Sequence, residues 1–137
     1  MGYRTRVYGE IEIDPPVPWH VMRLNESLTK PDGLSCVVVE VDEHQVETDE
    51  GTLVKRVGAR ISAFQEDRFK ASTLIEDVQA VVDALGRDRR YIGRLECEGE
   101  DAYDLWRVEV RDGVATKTQA QIHWPNGEVW SGRERRL

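Results

Sequence analysis

Carboxylate side chains are concentrated in one short stretch of the 137-residue chain, Glu96, Glu98, Glu100, Asp101 and Asp104. Hard cations such as Mg²⁺ and Ca²⁺ bind clusters of carboxylate oxygens. Glu96, Glu98, Asp101 and Asp104 are therefore a candidate metal site, although the stretch lacks the D-x-D-x-D-G spacing of a calcium-binding loop. A solvated hairpin tip, whose charges keep a sheet edge from aggregating, explains the same residues without a ligand. A protein-binding tip is the third interpretation.

Other residues that could carry catalysis are scattered along the sequence. His20, His44 and His123 are too far apart in sequence to form a local metal or general-base pair. Cys36 and Cys97 do not form a CxxC motif, and no Gly-x-Ser-x-Gly elbow or glycine-rich phosphate loop is present. Cys97 shares the strand phase of Leu95, which predicts a small buried hydrophobe. We predict no catalytic residue and no cofactor.

Two tryptophans are candidate anchors for a partner. Trp19 lies beside a proline run, and Trp130 lies near the C-terminus, where little core is expected. An exposed tryptophan at such a place is typical of protein interfaces. The alternative is that both side chains close the ends of the core. The predicted partner-binding set is Glu98, Glu100, Asp101, Asp104, Trp19 and Trp130.

Composition restricts the class of protein. With 26 acidic and 19 basic residues, the formal net charge is −7, which disfavours binding to nucleic acid or to an anionic membrane. The N-terminus lacks an apolar signal region, and no apolar run reaches the ~20 residues that span a bilayer. We expect a cytoplasmic protein with one domain over residues 1–130. Residues 131–137, which include three arginines, are predicted to be a mobile tail.

The first half of the chain predicts three strands and one short helix. Residues 3–13 alternate apolar and polar side chains, which indicates a half-buried strand. Prolines within 14–18 are expected to end that strand, and Pro18 can begin a helix to about Leu24. Residues 25–34 are predicted as a loop. A long hairpin follows, with strands at 36–47 and 52–64 and Leu53 on the same phase as Ile61.

The second half predicts one helix and three strands. Thr73 and Glu76 form a capping box before apolar residues at helical spacing, and Gly86 follows the helix. Two further strands are predicted at 91–98 and, after a loop at 99–104, at 106–111. Asp112-Gly113 is a tight-turn signal, and the last strand continues to Trp124. Trp106 and Trp124 fall on core phases.

These elements predict an α+β fold in the order β-α-β-β-α-β-β-β. An antiparallel sheet of about six strands would carry two helices on one face. The first six elements match a ferredoxin-like core, and a further hairpin extends the sheet. An antiparallel meander or partial barrel with one helix is the alternative. The second face would carry mixed charges, including Arg60, Arg94, Glu96 and Arg107, with Tyr8 as its clearest aromatic.

Three segments together resemble a family of short uncharacterised proteins, a domain of unknown function from actinobacteria and their phages. They are Gly2–Glu10, Val46–Val54 and Glu96–Asp101, the last taken with Asp104–Arg107. The resemblance spans nearly the whole chain and implies no catalytic residues. It implies a phage or mobile-element accessory protein that acts inside a bacterial cell.

Three functional hypotheses remain open. The leading one is a small non-enzymatic protein that binds a partner protein and is phage-encoded, acting on a host factor. The second is a divalent-metal-binding domain or enzyme that uses the acidic stretch. The third is a homo-oligomeric module in which an exposed edge strand pairs with its copy.

Overall fold

The protein has an α+β fold with six antiparallel strands and two α-helices, in a computed structural model that describes residues 2–30 and 36–130. The sheet is open and has the order β2-β3-β1-β4-β5-β6. The predicted tail at 131–137 lies outside the described residues. The elements are β1 Thr5–Pro18, α1 Trp19–Met22, a 3-10 helix Arg23–Thr29, β2 Val37–Thr48, β3 Gly51–Ala63, α2 Leu74–Leu85, β4 Arg90–Gly99, β5 Leu105–Arg111 and β6 Val114–Gln119.

Strand β1 runs through the centre of the sheet, between β3 and β4. Its alternation is as predicted, with Val7, Ile11 and Ile13 buried. The prediction that the prolines end this strand was wrong, because β1 continues to Pro18 and buries Val17 completely. The pairing with β3 shifts register between Glu12 and Val17. Proline is tolerated at such an irregularity, since residues outside the regular ladder need not donate an N–H.

The connection from β1 to β2 is more ordered than predicted. Pro18 precedes α1, but the helix ends at Met22, and a 3-10 helix replaces the predicted loop up to Thr29. Asn25 has non-helical backbone angles inside this segment (φ −130°, ψ 39°). Met22 and Leu28 are both buried. Burial of these two side chains holds the segment against the sheet, which local propensity does not reveal.

Helix α2 contributes more buried side chains to the core than α1 or the 3-10 helix does. Its buried side chains recur at helical spacing and join the same core cluster as Met22, β1 and the neighbouring strands. The predicted capping box is not formed, because the Thr73 side chain makes no cap hydrogen bond and its hydroxyl donates to the Asp77 carboxylate at 3.2 Å. Asp77 also accepts the backbone N–H of Cys36 at 3.0 Å, which ties α2 to the start of β2.

The sheet face opposite the core carries charged side chains in ion pairs. Arg60 on β3 lies between two neighbouring strands and contacts Glu10, Glu40 and Asp42 at 3.6, 2.9 and 2.7 Å. The hydrogen bonds to Glu40 and then to Asp42 raise the pKa of Arg60. Exposed pairs of this kind contribute little stability, so this face is ordinary solvated surface.

The outer half of the β2–β3 hairpin projects beyond the rest of the sheet. Residues 43–56 are all exposed, and β1 pairs with β3 only over residues 57–62. The sequence predicts Leu53 on the same phase as the buried Ile61, but 60% of Leu53 is exposed. The pairing of β2 with β3 shifts register between Glu40 and Val41, so the alternation along β3 is interrupted between Ile61 and Leu53.

The chain leaves the sheet earlier than predicted after β6. Gln119 is the last strand residue, and Trp124 is 53% exposed rather than part of the core. Residues 120–130 instead fold back on themselves, with the Trp130 N–H donating to the Ile122 carbonyl at 2.6 Å. The predicted turn at Asp112-Gly113 is confirmed, with φ of 52° and 77°.

Candidate functional site

A surface groove of about 770 Å³ lies between the loop that follows β4 and the folded-back segment that follows β6. We call it the aromatic groove and define it by Tyr3, Asp101, Tyr103, Asp104 and Trp130, all of which line it. These residues come from three parts of the chain: the N-terminus, the β4–β5 loop and the end of the described residues.

The β4–β5 loop presents its side chains from a closed turn. The Gly99 N–H donates to the Asp104 carbonyl at 2.8 Å, and the Asp104 N–H donates to the Asp101 carbonyl at 3.2 Å. Tyr103 has a φ of 64°, a left-handed conformation that a non-glycine residue adopts at a cost. The turn therefore holds Tyr103 outward, with 60% of the residue exposed.

Tyr3 connects the N-terminus to this loop. Its hydroxyl donates a hydrogen bond to the Asp104 carboxylate and accepts one from the Asp101 N–H at 3.0 Å. Desolvation, followed by the hydrogen bond to Asp104, raises the pKa of Tyr3. The other Asp104 carboxylate oxygen accepts from the Gln119 amide at 3.3 Å. The position of the Asp104 carboxylate is thus set by residues from β6 and from the N-terminus.

Tyr103 and Trp130 form the aromatic part of the groove. Their ring centroids are 5.0 Å apart, and their planes meet at 71°. Edge-to-face pairs of this kind are favourable because the positive edge of one ring meets the negative face of the other. The two rings thus lie at a steep angle to each other, and both line the groove that also contains the Asp101 and Asp104 carboxylates.

The structure brings together only part of the predicted binding set. Asp101, Asp104 and Trp130 line the aromatic groove, whereas Glu100 is exposed beside it and Glu98 is held by Arg68 at 3.0 Å. Trp19 lies near β3, where its ring is 5.4 Å from the Arg56 guanidinium carbon.

Tyr3 and Tyr103 were missed in the sequence. The alternation over residues 3–13 predicts only a strand position for Tyr3. Tyr103 lies in a loop, where no periodicity or motif indicates a role. Its contact with Trp130 depends on the tertiary structure.

The match to known families covers almost the entire chain. Residues 1–134 match the family described as "Family of unknown function (DUF6205)". The chain belongs to the DUF6205 family. Searches among curated proteins and among solved structures returned no match. The resemblance to a family of unknown function is therefore confirmed at that level.

Three of the acidic residues in the β4–β5 region of this DUF6205 member engage partners within the protein. Glu96 pairs with Arg94 at 2.7 Å, Glu98 with Arg68, and Asp104 with Tyr3. Within residues 2–30 and 36–130, no group of three or more His, Cys, Asp or Glu side chains is arranged to hold a metal ion. Metal binding by Glu96, Glu98, Asp101 and Asp104 therefore stays a prediction, and the described residues do not group these side chains as metal ligands. None of the described helices is long and apolar enough to cross a membrane.

Both thiols of the DUF6205 chain are enclosed by the core. Cys36 and Cys97 are not joined in a disulfide, both are buried, and Cys97 is only 2% exposed. Burial, followed by the nearby charge of Glu96, raises the pKa of the Cys97 thiol to about 12. A thiol acts as a nucleophile in its thiolate form, so Cys97 is a poor nucleophile at neutral pH.

We expect the folded protein to show no fast-reacting thiol toward Ellman's reagent at pH 8. The reason is that Cys97 is almost fully protonated at this pH and that neither sulfur is accessible. The same measurement in guanidinium chloride should release both thiols and serves as the control. One thiol reacting within seconds in the folded chain would contradict this assignment.

Proposed function

We propose that this DUF6205 member is a small non-enzymatic accessory protein that binds another protein through the aromatic groove. One observation carries the proposal: the groove combines two exposed tyrosines and a half-buried tryptophan with two carboxylates. Large aromatic side chains supply most of the binding energy in typical interfaces, because they bury much area at a small cost in conformational entropy. Polar groups around them fix orientation.

We further propose that the protein is phage-encoded and acts on a host factor in the bacterial cytoplasm. The support is the resemblance of its three segments to proteins of actinobacteria and their phages. A soluble binding protein without a metal or cofactor fits this role, since an accessory factor needs only a surface that its target recognises.

We also propose that the first six elements form a ferredoxin-like core. The antiparallel strand order β4-β1-β3-β2 supports this, as does the position of α1 and α2 in the two connections that cross between non-neighbouring strands. Strands β5 and β6 then extend the sheet beyond β4, and the aromatic groove lies at this added end.

Affinity capture from an actinobacterial lysate tests the proposed surface. We expect the wild-type chain to retain at least one host protein that the double variant Tyr103→Ala/Trp130→Ala loses. The substitutions remove the aromatic pair but leave the buried core cluster unchanged. Both proteins should melt within a few degrees of each other, because surface substitutions typically change stability by about 0.5 kcal/mol or less.

Tyr8→Ala is the matched control for this capture experiment. Tyr8 is 47% exposed, compared with 60% for Tyr103, but it lies on the charged sheet face outside the aromatic groove. The control should retain the captured protein. A protein retained equally by wild type and by the groove variant would show that the binding surface lies elsewhere.

A further inference from the structure

The described lining of the aromatic groove carries negative charge only. Asp101 and Asp104 are its two carboxylates, and none of the lining residues within 2–30 and 36–130 is basic. Glu100, which is exposed, adds a third carboxylate to the same loop. A groove of this sign attracts a cation and repels a phosphate or a carboxylate.

The aromatic part of the groove favours the same kind of ligand. The face of an aromatic ring carries negative quadrupole charge, and tryptophan attracts cations best among the aromatic side chains. Trp130 and Tyr103 meet at 71°, and both rings line the same groove as the Asp101 and Asp104 carboxylates, so one cation in the groove has both kinds of group available to it. An aromatic face next to a carboxylate is well suited to a guanidinium group, which stacks and donates hydrogen bonds at the same time.

The same chain already pairs two of its other tryptophans with cations. The Lys117 ammonium lies 4.3 Å from the Trp106 ring centroid, and the Arg56 guanidinium lies 5.4 Å from that of Trp19. Both distances are within the range of favourable cation–π contact. In both places the cation is a side chain of the same protein.

The Asp104 carboxylate is held in position by other residues. The Tyr3 hydroxyl donates to one of its oxygens, and the Gln119 amide donates to the other. Each carboxylate oxygen can accept more than one hydrogen bond, so Asp104 can still accept from a ligand. A carboxylate that is fixed beforehand loses little entropy when a cation binds.

We propose that the aromatic groove binds one arginine side chain from an exposed segment of the partner protein. The guanidinium group lies over the Trp130 or Tyr103 ring and donates hydrogen bonds to Asp101 and Asp104. This inference rests on the proposed function, because it names the chemistry by which the partner is recognised. Arginine fits better than lysine, since its planar group can stack and hydrogen-bond at once.

The test is a titration of the full ¹⁵N-labelled chain with N-acetyl-arginine amide, followed by NMR. Saturable shifts are expected at the Trp130 indole N–H, the Gln119 side-chain amide and the Asp101 backbone amide. A dissociation constant on the order of millimolar is reasonable for a single side chain. N-acetyl-citrulline amide is the control ligand, because it has nearly the same shape but no charge. It should shift these signals at least tenfold less at equal concentration.

Three variants locate the site. Trp130→Ala should abolish saturation, and Asp104→Asn should weaken binding at least fivefold, since it removes the charge but keeps the shape of the side chain. Tyr8→Ala, outside the groove, should bind as wild type. A response to citrulline equal to that to arginine, or binding unaffected by both groove substitutions, would overturn the proposal.

The test also includes competition by the chain's own Arg133, Arg135 and Arg136, which lie outside the described residues. The variant Arg133→Ser/Arg135→Ser/Arg136→Ser is therefore titrated in parallel. Tighter arginine binding by this variant supports the cation site and identifies the tail as its competitor. Absence of saturable binding in both this variant and wild type refutes the site.

The two proposals can fail separately. Arginine binding without any captured protein would sustain the cation site and remove the partner-binding function. Captured protein that is lost in Tyr103→Ala/Trp130→Ala, without arginine binding, would sustain the function and refute the arginine assignment.

Discussion

Replacing Gly93 by alanine should lower the free energy of unfolding by about 3 kcal/mol, because backbone strain of order 1–3 kcal/mol is joined by a steric clash. Gly93 lies inside β4 with a φ of 99°, which L-residues rarely adopt. A Cβ at this position would lie 2.7 Å from the backbone carbonyl oxygen of Glu10 on β1. A backbone atom cannot move away as the end of a flexible side chain can.

Gly9 reproduces this arrangement from the opposite strand. Its φ is 88°, and a Cβ there would lie 2.7 Å from the Arg94 carbonyl oxygen. Gly9 pairs with Leu95, and Gly93 pairs with Ile11, so the two glycines face each other diagonally across the central β1–β4 pair. Both positions therefore require a residue without a Cβ, and Gly9→Ala should be about as destabilising as Gly93→Ala.

Chemical denaturation of Gly93→Ala and Gly127→Ala separates strain from the clash. Gly127 has a similar φ of 91°, but nothing lies within 4 Å of the Cβ position. Its substitution should cost about 1 kcal/mol from backbone conformation alone. Equal losses of unfolding free energy in the two variants would mean that the clash between the added methyl group and the β1 backbone does not destabilise the protein.

Ile61→Ala should also be strongly destabilising, by about 2–5 kcal/mol. Ile61 lies on β3, is completely buried, and pairs with Ile11 on β1 and Val39 on β2. Truncation removes buried methyl groups and leaves a cavity between strands that cannot close freely. Urea denaturation monitored by tryptophan fluorescence measures the loss.

Leu53→Ala on the same strand is the matched control for Ile61→Ala. Leu53 is 60% exposed in the projecting half of the β2–β3 hairpin. Its substitution should change the free energy of unfolding by about 0.5 kcal/mol or less. A large loss at Leu53 would show that this ribbon is covered in solution, for example by a second copy of the chain.

Several elements could be predicted from the sequence because their signals are local. The alternation of Val7, Ile11 and Ile13 marks a half-buried strand, and the apolar spacing between Leu74 and Leu85 marks one face of a helix. Asp112-Gly113 predicts its turn because these residues tolerate positive φ. Periodicity failed for Trp124, since it shows which side chains share a face but not whether anything covers that face. For Leu53, periodicity could not reveal the register shift that separates it from Ile61.

By itself, the sequence determined the secondary-structure class, the antiparallel α+β fold and the acidic character of the β4–β5 loop. Only the tertiary structure decided which of those acidic residues belong to a groove. Tyr3 meets Asp104 from about a hundred residues away, and Trp130 meets Tyr103 across β5 and β6. Such contacts depend on strand order and on the point where the chain leaves the sheet. Both are set by packing of the whole domain, which no local pattern encodes.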